Sequence, residues 1–187
     1  ARLIGNRDLS KAVPGQFSAV ALADDQSPEF PNTSHISIVD AQGNAVSMTT
    51  SIEMGFGSAV MASGFLLNNQ LTDFSLVPSV DGKLIANRVQ GSKRPRSSMS
   101  PTMVFDAEGD DLIHVVGSPG GARIINYVAQ TLVGVLDWKL NMQQAIDLPH
   151  VTNLNNYTAL EKGTDMAKLQ GRLKSKGHEV RVTDLNS

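Results

Sequence analysis

Asn32-Thr33-Ser34-His35 places a small hydroxyl residue where an irregular leader meets the first strongly patterned strand. If the peptide bond before Thr33 breaks, Thr33 gains a free α-amino group beside its own hydroxyl, and that amine can serve as base for the threonine oxygen. Read alone, the tetrapeptide favours a simpler meaning, a strand that opens with threonine. A second candidate is Gly117-Ser118-Pro119-Gly120-Gly121, between a strand pattern and a helix pattern. Backbone N–H groups without side chains can approach a reacting oxygen there and form an oxyanion hole. Such turns also cradle phosphates, although no Lys-Ser/Thr pair follows the glycines as a P-loop requires. A purely structural turn is the third reading. His35, His114, His150 and His178 are dispersed, without the i,i+4 or finger-like spacing of metal ligands, so no metal site is expected.

Composition narrows the classes. The 187 residues are 41% hydrophobic and 18% charged, which suffices for a core and is neither disordered nor fibrous. Sixteen basic against 18 acidic residues give a net charge of -2, with no cationic surplus for a general nucleic-acid surface. Lys93, Arg94 and Arg96 form the tightest basic cluster and read as a solvated loop or a contact to another chain. The absence of cysteine removes disulfides, thiolate metal sites and cysteine nucleophiles. No apolar run approaches the roughly 20 residues of a membrane-spanning helix. The chain opens at Ala1 rather than Met and stops at Ser187 just after a strand pattern, so it is expected to be a piece of a longer polypeptide.

These residues need elements to position them. Residues 1–32 are punctuated by Pro14, Gly15, Pro28 and Pro31, with one short strand possible over 17–22. Period-2 alternation over 34–40, the turn 41–44 and a second alternating run over 45–52 predict a hairpin. A second hairpin is expected from 102–105 and 112–116 around the acidic turn 106–111. The Gly-, Asn-, Ser- and Pro-rich stretch 55–101 between them reads as a long functional loop. Ile125, Val128, Leu132 and Val135 predict one helix face. Asn141 is the expected cap of a second helix carrying Met142, Ala145 and Ile146, ended by Pro149. Thr164 is the expected cap of a third, with Met166, Leu169 and Leu173 inward and Gly177 as stop. A strand over 179–182 closes the pattern. Hairpins first and helices after predict an α+β layered domain rather than a parallel βαβ fold.

Asn32-Thr33-Ser34-His35-Ile36-Ser37-Ile38-Val39-Asp40, Gly64-Phe65-Leu66-Leu67-Asn68-Asn69-Gln70-Leu71-Thr72-Asp73-Phe74, Lys93-Arg94-Pro95-Arg96-Ser97-Ser98-Met99-Ser100-Pro101-Thr102 and Gly117-Ser118-Pro119-Gly120-Gly121-Ala122-Arg123-Ile124 occur in this order. Together they resemble the small-subunit half of the γ-glutamyltranspeptidase family of N-terminal nucleophile hydrolases. The resemblance runs from about Thr33 to the end. It implies a four-layer αββα sandwich, here as a partial fragment: residues 1–32 as the tail of the large-subunit region, and 33–187 as a catalytic small-subunit domain short of its C-terminal end. It also implies one precursor that cuts itself between Asn32 and Thr33, no cofactor, and a periplasmic or secreted location.

The resemblance assigns roles residue by residue. Thr33 is the nucleophile, first on the Asn32 carbonyl and then on a γ-amide carbonyl, giving an acyl-enzyme. Gly120 and Gly121 form the oxyanion hole. Ser97 and Ser98 bind the substrate α-carboxylate, and Asp73, supported by Gln70, holds the α-ammonium group. Ser51 stands where a second threonine that hydrogen-bonds the nucleophile is expected, and keeps the hydroxyl. Glu53 stands where many members have an asparagine near the ammonium group, which leaves the acyl group open. The implied partners are the large-subunit region of the same precursor, with an arginine that completes the carboxylate site, a γ-glutamyl substrate, and an amino-acid or water acceptor. A glutaryl-type acylase, as in the related cephalosporin acylases, is the second enzymatic reading. A binding domain whose glycine turn holds an anion is the non-enzymatic one. Faces that would meet the large subunit are expected to be exposed.

Overall fold

β-Branched and alternating residues from Asn32 onward build the first hairpin of the computed structural model, which describes residues 7, 8, 11, 22–25, 27 and 32–185. Except for Leu22, the short strand expected over 17–22 lies outside the described residues. By internal contacts the chain divides into one unit of Gly15–Ala122 and another of Ala1–Pro14 with Arg123–Ser187.

In the first unit, β1 (Asn32–Val39) and β2 (Ala45–Glu53) pair antiparallel, with His35 opposite Thr49, Ile36 opposite Met48 and Ile38 opposite Val46. Period 2 puts Thr33, His35 and Ser37 with Ser47, Thr49 and Ser51 on one face. Ile36, Ile38, Val46 and Met48 share the other, which is solvent-exposed, Ile38 at 55%. The loop after β2 contains the short pairs β3 (Met61–Ala62) with β4 (Phe65–Leu66) and β5 (Ser79–Val80) with β6 (Lys83–Leu84), and a 3₁₀ turn over Gln70–Asp73. The second expected hairpin forms as β7 (Thr102–Phe105) and β8 (Leu112–Val116). Its acidic turn is closed by Asp106, whose carboxylate accepts backbone N–H bonds from Gly109 (2.7 Å) and Asp110 (2.9 Å). Phe74, Ile85 and Val116 are buried in this unit.

In the second unit, α1 (Ile124–Leu136) and α2 (Met142–Ile146) precede β9 (Val151–Asn153) and β10 (Thr158–Glu161), and α3 (Gln170–Lys174) leads to β11 (Val180–Thr183). The buried stripe of α1 is Ile124, Tyr127, Val128 and Val135; Ile125, expected inward, is 56% exposed. The apolar run Ile124-Ile125 fits either frame, and the frame that lets Gly134 meet Ala145 wins. A Cβ on Gly134 would lie 3.0 Å from the Ala145 Cβ, so the glycine permits close approach of α2. Asn141 caps α2 as expected, in a reciprocal box with Gln144. Leu169, expected inward, is exposed, as is Ile146 on α2. Thr164 accepts from the Met166 N–H at 3.3 Å, but the turn it caps, Asp165–Leu169, is 3₁₀ and only then becomes α3. Gly177 follows α3 with φ of 100°.

Two strands in this unit were not expected, β9 and β10, and one pairing departs from the expected pattern. β10 pairs antiparallel with β9 but parallel with β11, so β10, α3 and β11 form the crossover that parallel strands require. Ala159 and Leu160 at its centre are buried, at 1% and 0% exposure. The class remains α+β.

Candidate active site

The register of the first hairpin slips at the residue of interest. Asn32 pairs with Glu53 and Ser34 with Thr50, so Thr33 alone faces two β2 residues, Ser51 and Ile52. Such a bulge bends the strand and re-aims the side chains beside it. Here it turns the Ser51 hydroxyl onto the Asn32 carbonyl oxygen, to which it donates at 2.6 Å. The Glu53 N–H in turn donates to Ser51 Oγ at 2.9 Å. A chain of two donors thus ends on the carbonyl oxygen of the Asn32–Thr33 bond. With the Asn32–Thr33 bond intact, the Ser51 hydroxyl proton is directed to the acyl side of that bond. An open cleft of about 390 Å³ lies over this point, lined by Asn32, Thr33, Ser34, Thr50, Ser51, Ile52, Met54 and Gly55.

Two residues along the same face, His35 is held at both ring nitrogens, Nδ1 to Thr49 Oγ1 (2.9 Å) and Nε2 to Ser37 Oγ (3.0 Å). Partial burial pushes its pKa down, which favours the neutral ring. Gly117, the first residue of the glycine loop, is seated against this imidazole; a Cβ there would fall 2.0 Å from His35 Cε1. His35 is therefore the post against which the loop departs from β8, a packing role. Ser47 Oγ donates to the Val116 carbonyl at 3.2 Å and ties β2 to the same point. Further along, Gly120 (φ 128°) and Gly121 (φ 58°) take backbone conformations that favour glycine. Gly117→Ala in the full-length protein should cost about 1–3 kcal/mol of stability, the usual penalty of overpacking, because the imidazole must leave its two partners. Denaturant unfolding checks it, and a change within 0.5 kcal/mol in order-of-magnitude terms would contradict the seating.

A carboxylate cluster lies where β2 ends and the 3₁₀ turn begins. Glu53 and Asp73 are both buried, at 7% and 6% exposure. The Gln70 amide donates to Glu53 Oε2 at 3.1 Å and to Asp73 Oδ2, so one side chain bridges both acids. Glu53 holds a left-handed backbone conformation, φ 73°, which costs on the order of 1 kcal/mol for a residue with a Cβ. Burial, then the charge of Asp73 and a hydrogen bond shared with it, push the Glu53 pKa up. Two neighbouring carboxylates do not both ionise cheaply. Arg96 lies on the far side of Asp73, with Nη2 3.7 Å from Oδ1. The basic cluster is thus no merely solvated loop: Arg96 faces inward, and Lys93 Nζ donates to the Ala86 carbonyl at 2.8 Å. The partner of Arg96, Asp25, lies 71 residues away, where no local pattern announces it.

The raised Glu53 pKa has a signed consequence. The folded chain holds this proton more tightly than the unfolded chain, whose ordinary value is 4.5. The stabilisation is complete below that value and is lost as pH rises through the folded one. Glu53→Gln cannot ionise, so its melting temperature relative to wild type should climb as pH rises from 4 to 8 in roughly the range where the carboxyl titrates. A constant difference across that range would contradict it.

Ser97 and Ser98 follow Arg96 directly. Ser97 is exposed, and its Oγ accepts the Met99 N–H at 3.2 Å; Ser98 is half-buried. No group of three or more metal-ligating side chains occurs among the described residues.

All 187 residues match the gamma-glutamyltranspeptidase family model. The chain belongs to that family. It is 41% identical over 189 residues to a glutathione hydrolase proenzyme of Escherichia coli, covering 95% of the chain and 31% of the relative. A Bacillus subtilis glutathione hydrolase proenzyme is 39% identical over 150 residues, 79% of the chain and 24% of the relative. The chain therefore spans less than a third of the length of these relatives. A mutant gamma-glutamyltranspeptidase of Helicobacter pylori superposes with a TM-score of 0.69 at 38% identity, over 81% of this chain and 85% of that one. The Bacillus anthracis transpeptidase CapD superposes at 0.59 and 27% identity, over 80% and 78%. These structures represent the α+β, αββα class expected from the resemblance, of which this chain covers part. No described helix is long and apolar enough to cross a membrane.

Proposed function

We propose that this γ-glutamyltranspeptidase-family chain carries the catalytic half of an amidohydrolase that moves a γ-glutamyl group from glutathione or a related amide to water or an amino-acid acceptor. Thr33 Oγ attacks the Asn32 carbonyl and the C–N bond breaks, leaving Asn32 as an ester on Thr33 and a free α-amine; water hydrolyses the ester to the Asn32 carboxylate, and the amine then activates the regenerated hydroxyl toward substrate. The observation that carries this reading is the hydrogen-bond chain from the Glu53 N–H through Ser51 Oγ to the Asn32 carbonyl, a prepared acceptor at the bond the reaction must cut. Gly120 and Gly121 supply N–H groups to the tetrahedral oxygen in turnover. Asp73, Gln70 and Glu53 receive the α-ammonium, and Ser97 and Ser98 receive the α-carboxylate. The large-subunit region of the precursor covers the exposed face of Ile36, Ile38, Val46 and Met48. A periplasmic or secreted enzyme fits this reading.

The glutaryl-acylase alternative draws on Glu53, a carboxylate in the place of a neutral side chain. Release of γ-glutamyl and glutaryl reporter amides by the full-length protein separates the two. The γ-glutamyl amide should be preferred, and preference for the glutaryl amide would move the assignment to the acylase while leaving the threonine mechanism standing.

A further inference from the structure

Asn69 stands one residue before the 3₁₀ turn Gln70–Asp73, where an asparagine side chain ordinarily accepts a backbone N–H of its own turn. It makes no such bond. Its Oδ1 instead accepts the Met54 N–H at 3.0 Å, and its own N–H donates to the Ile52 carbonyl at 3.3 Å. Asn69 therefore holds the chain on both sides of Glu53, the residue with φ of 73°. The Asn69 side chain is itself held: Nδ2 donates to Thr72 Oγ1 at 3.0 Å, and the Thr72 hydroxyl donates back to the Asn69 carbonyl at 2.8 Å.

The Ile52 carbonyl and the Glu53 N–H belong to one rigid peptide plane, so a bond to one end fixes the direction of the other. That N–H donates to Ser51 Oγ at 2.9 Å, and Ser51 Oγ donates to the Asn32 carbonyl at 2.6 Å. A hydroxyl carries one proton, and with the Glu53 N–H on a lone pair that proton points away, here at Asn32. On the other side, the Met54 bond keeps the chain leaving Glu53 in its left-handed turn, a backbone that a residue with a Cβ holds only when its surroundings support it.

We propose that Asn69 is a positioning residue for the cleavage before Thr33: by fixing the peptides on either side of Glu53, it aims the Glu53 N–H at Ser51 and, through it, the Ser51 proton at the carbonyl to be attacked. This rests on the reading that Thr33 cuts the chain before itself. The contacts are those of the uncut chain, the state in which that step occurs. Among the described residues Asn69 bonds neither Asn32 nor Thr33, so it acts through Ser51.

The rate of cleavage of the full-length precursor, followed by intact mass over time after synthesis, tests this. Asn69→Ala should slow cleavage by roughly 10- to 10²-fold, up to what a misplacement of about 1 Å costs. In the Ser51→Ala background the same change should alter the rate by less than about twofold, because the donor it aims is gone. A loss of stability alone would slow cleavage in both backgrounds alike. Asn69→Asp keeps an acceptor for the Met54 N–H and should cleave faster than Asn69→Ala. Thr72→Val, at an exposed position, removes the partner of the Asn69 amide and stands in if Asn69→Ala does not fold. Its cleavage should be roughly two- to tenfold slower, the worth of one ordinary hydrogen bond, and again only where Ser51 is present. Wild-type cleavage in Asn69→Ala, or in Thr72→Val where it stands in, overturns the proposal while the threonine reading survives, as does equal slowing with and without the Ser51 hydroxyl. A wild type that stays whole overturns both.

Discussion

Replacing Thr33 with Ala in the full-length protein is expected to abolish both chain cleavage and amide turnover, because one hydroxyl performs both attacks. Alanine leaves β1 and its bulge intact, since Thr33 is only half-buried and Ser51 still reaches the Asn32 carbonyl. Loss of activity should therefore come with an unchanged melting curve for the uncut protein. Ser51→Ala should be less severe: it removes one positioned donor from a reacting carbonyl, a change that typically costs about 10²–10³ in rate. Cleavage should slow by that factor and still reach completion. Wild-type processing in Thr33→Ala, followed by intact mass, would exclude the residue as nucleophile.

Asp73→Asn is expected to cost about 2–5 kcal/mol in kcat/KM for γ-glutamyl amides, the loss found when one member of a buried charge pair is truncated. Asp73 is 6% exposed, so water does little to screen the charge it offers. Glu53→Gln should cost less, because the amide oxygen still accepts a hydrogen bond and the neighbouring Asp73 keeps its charge. Glutaryl amides lack the ammonium group, so their turnover should not fall in Asp73→Asn. Equal losses on both substrates, measured side by side, would show that Asp73 supports the fold rather than the cation.

The two hairpins were legible because alternation is local: Ile36 and Ile38 against Val46 and Met48 fix β1 and β2 without help from the rest of the chain. The cap at Asn141 was legible for the same reason. The bulge at Ser51-Ile52 was not, since an extra residue in one strand leaves both sequence patterns intact. It is at this bulge that the Ser51 hydroxyl meets the Asn32 carbonyl. β10 was hidden by its length, with only Ala159 and Leu160 at its buried centre, and its parallel partner lies beyond a helix. In the site, Thr33, Gly120 and Gly121 are marked by residue type and placement. The Asp25–Arg96–Asp73 linkage is not, because pairing across dozens of residues leaves no periodic trace. Arg96 sits in a run of cations that reads as solvated until the fold turns one of them inward.

If the full-length chain is cut before Thr33 by Thr33 itself, intact mass of the purified protein will show it. Two species are expected, divided between Asn32 and Thr33, with the Thr33→Ala protein remaining a single uncut chain. A wild-type protein that stays whole, or whose smaller chain begins at any other residue, would contradict it.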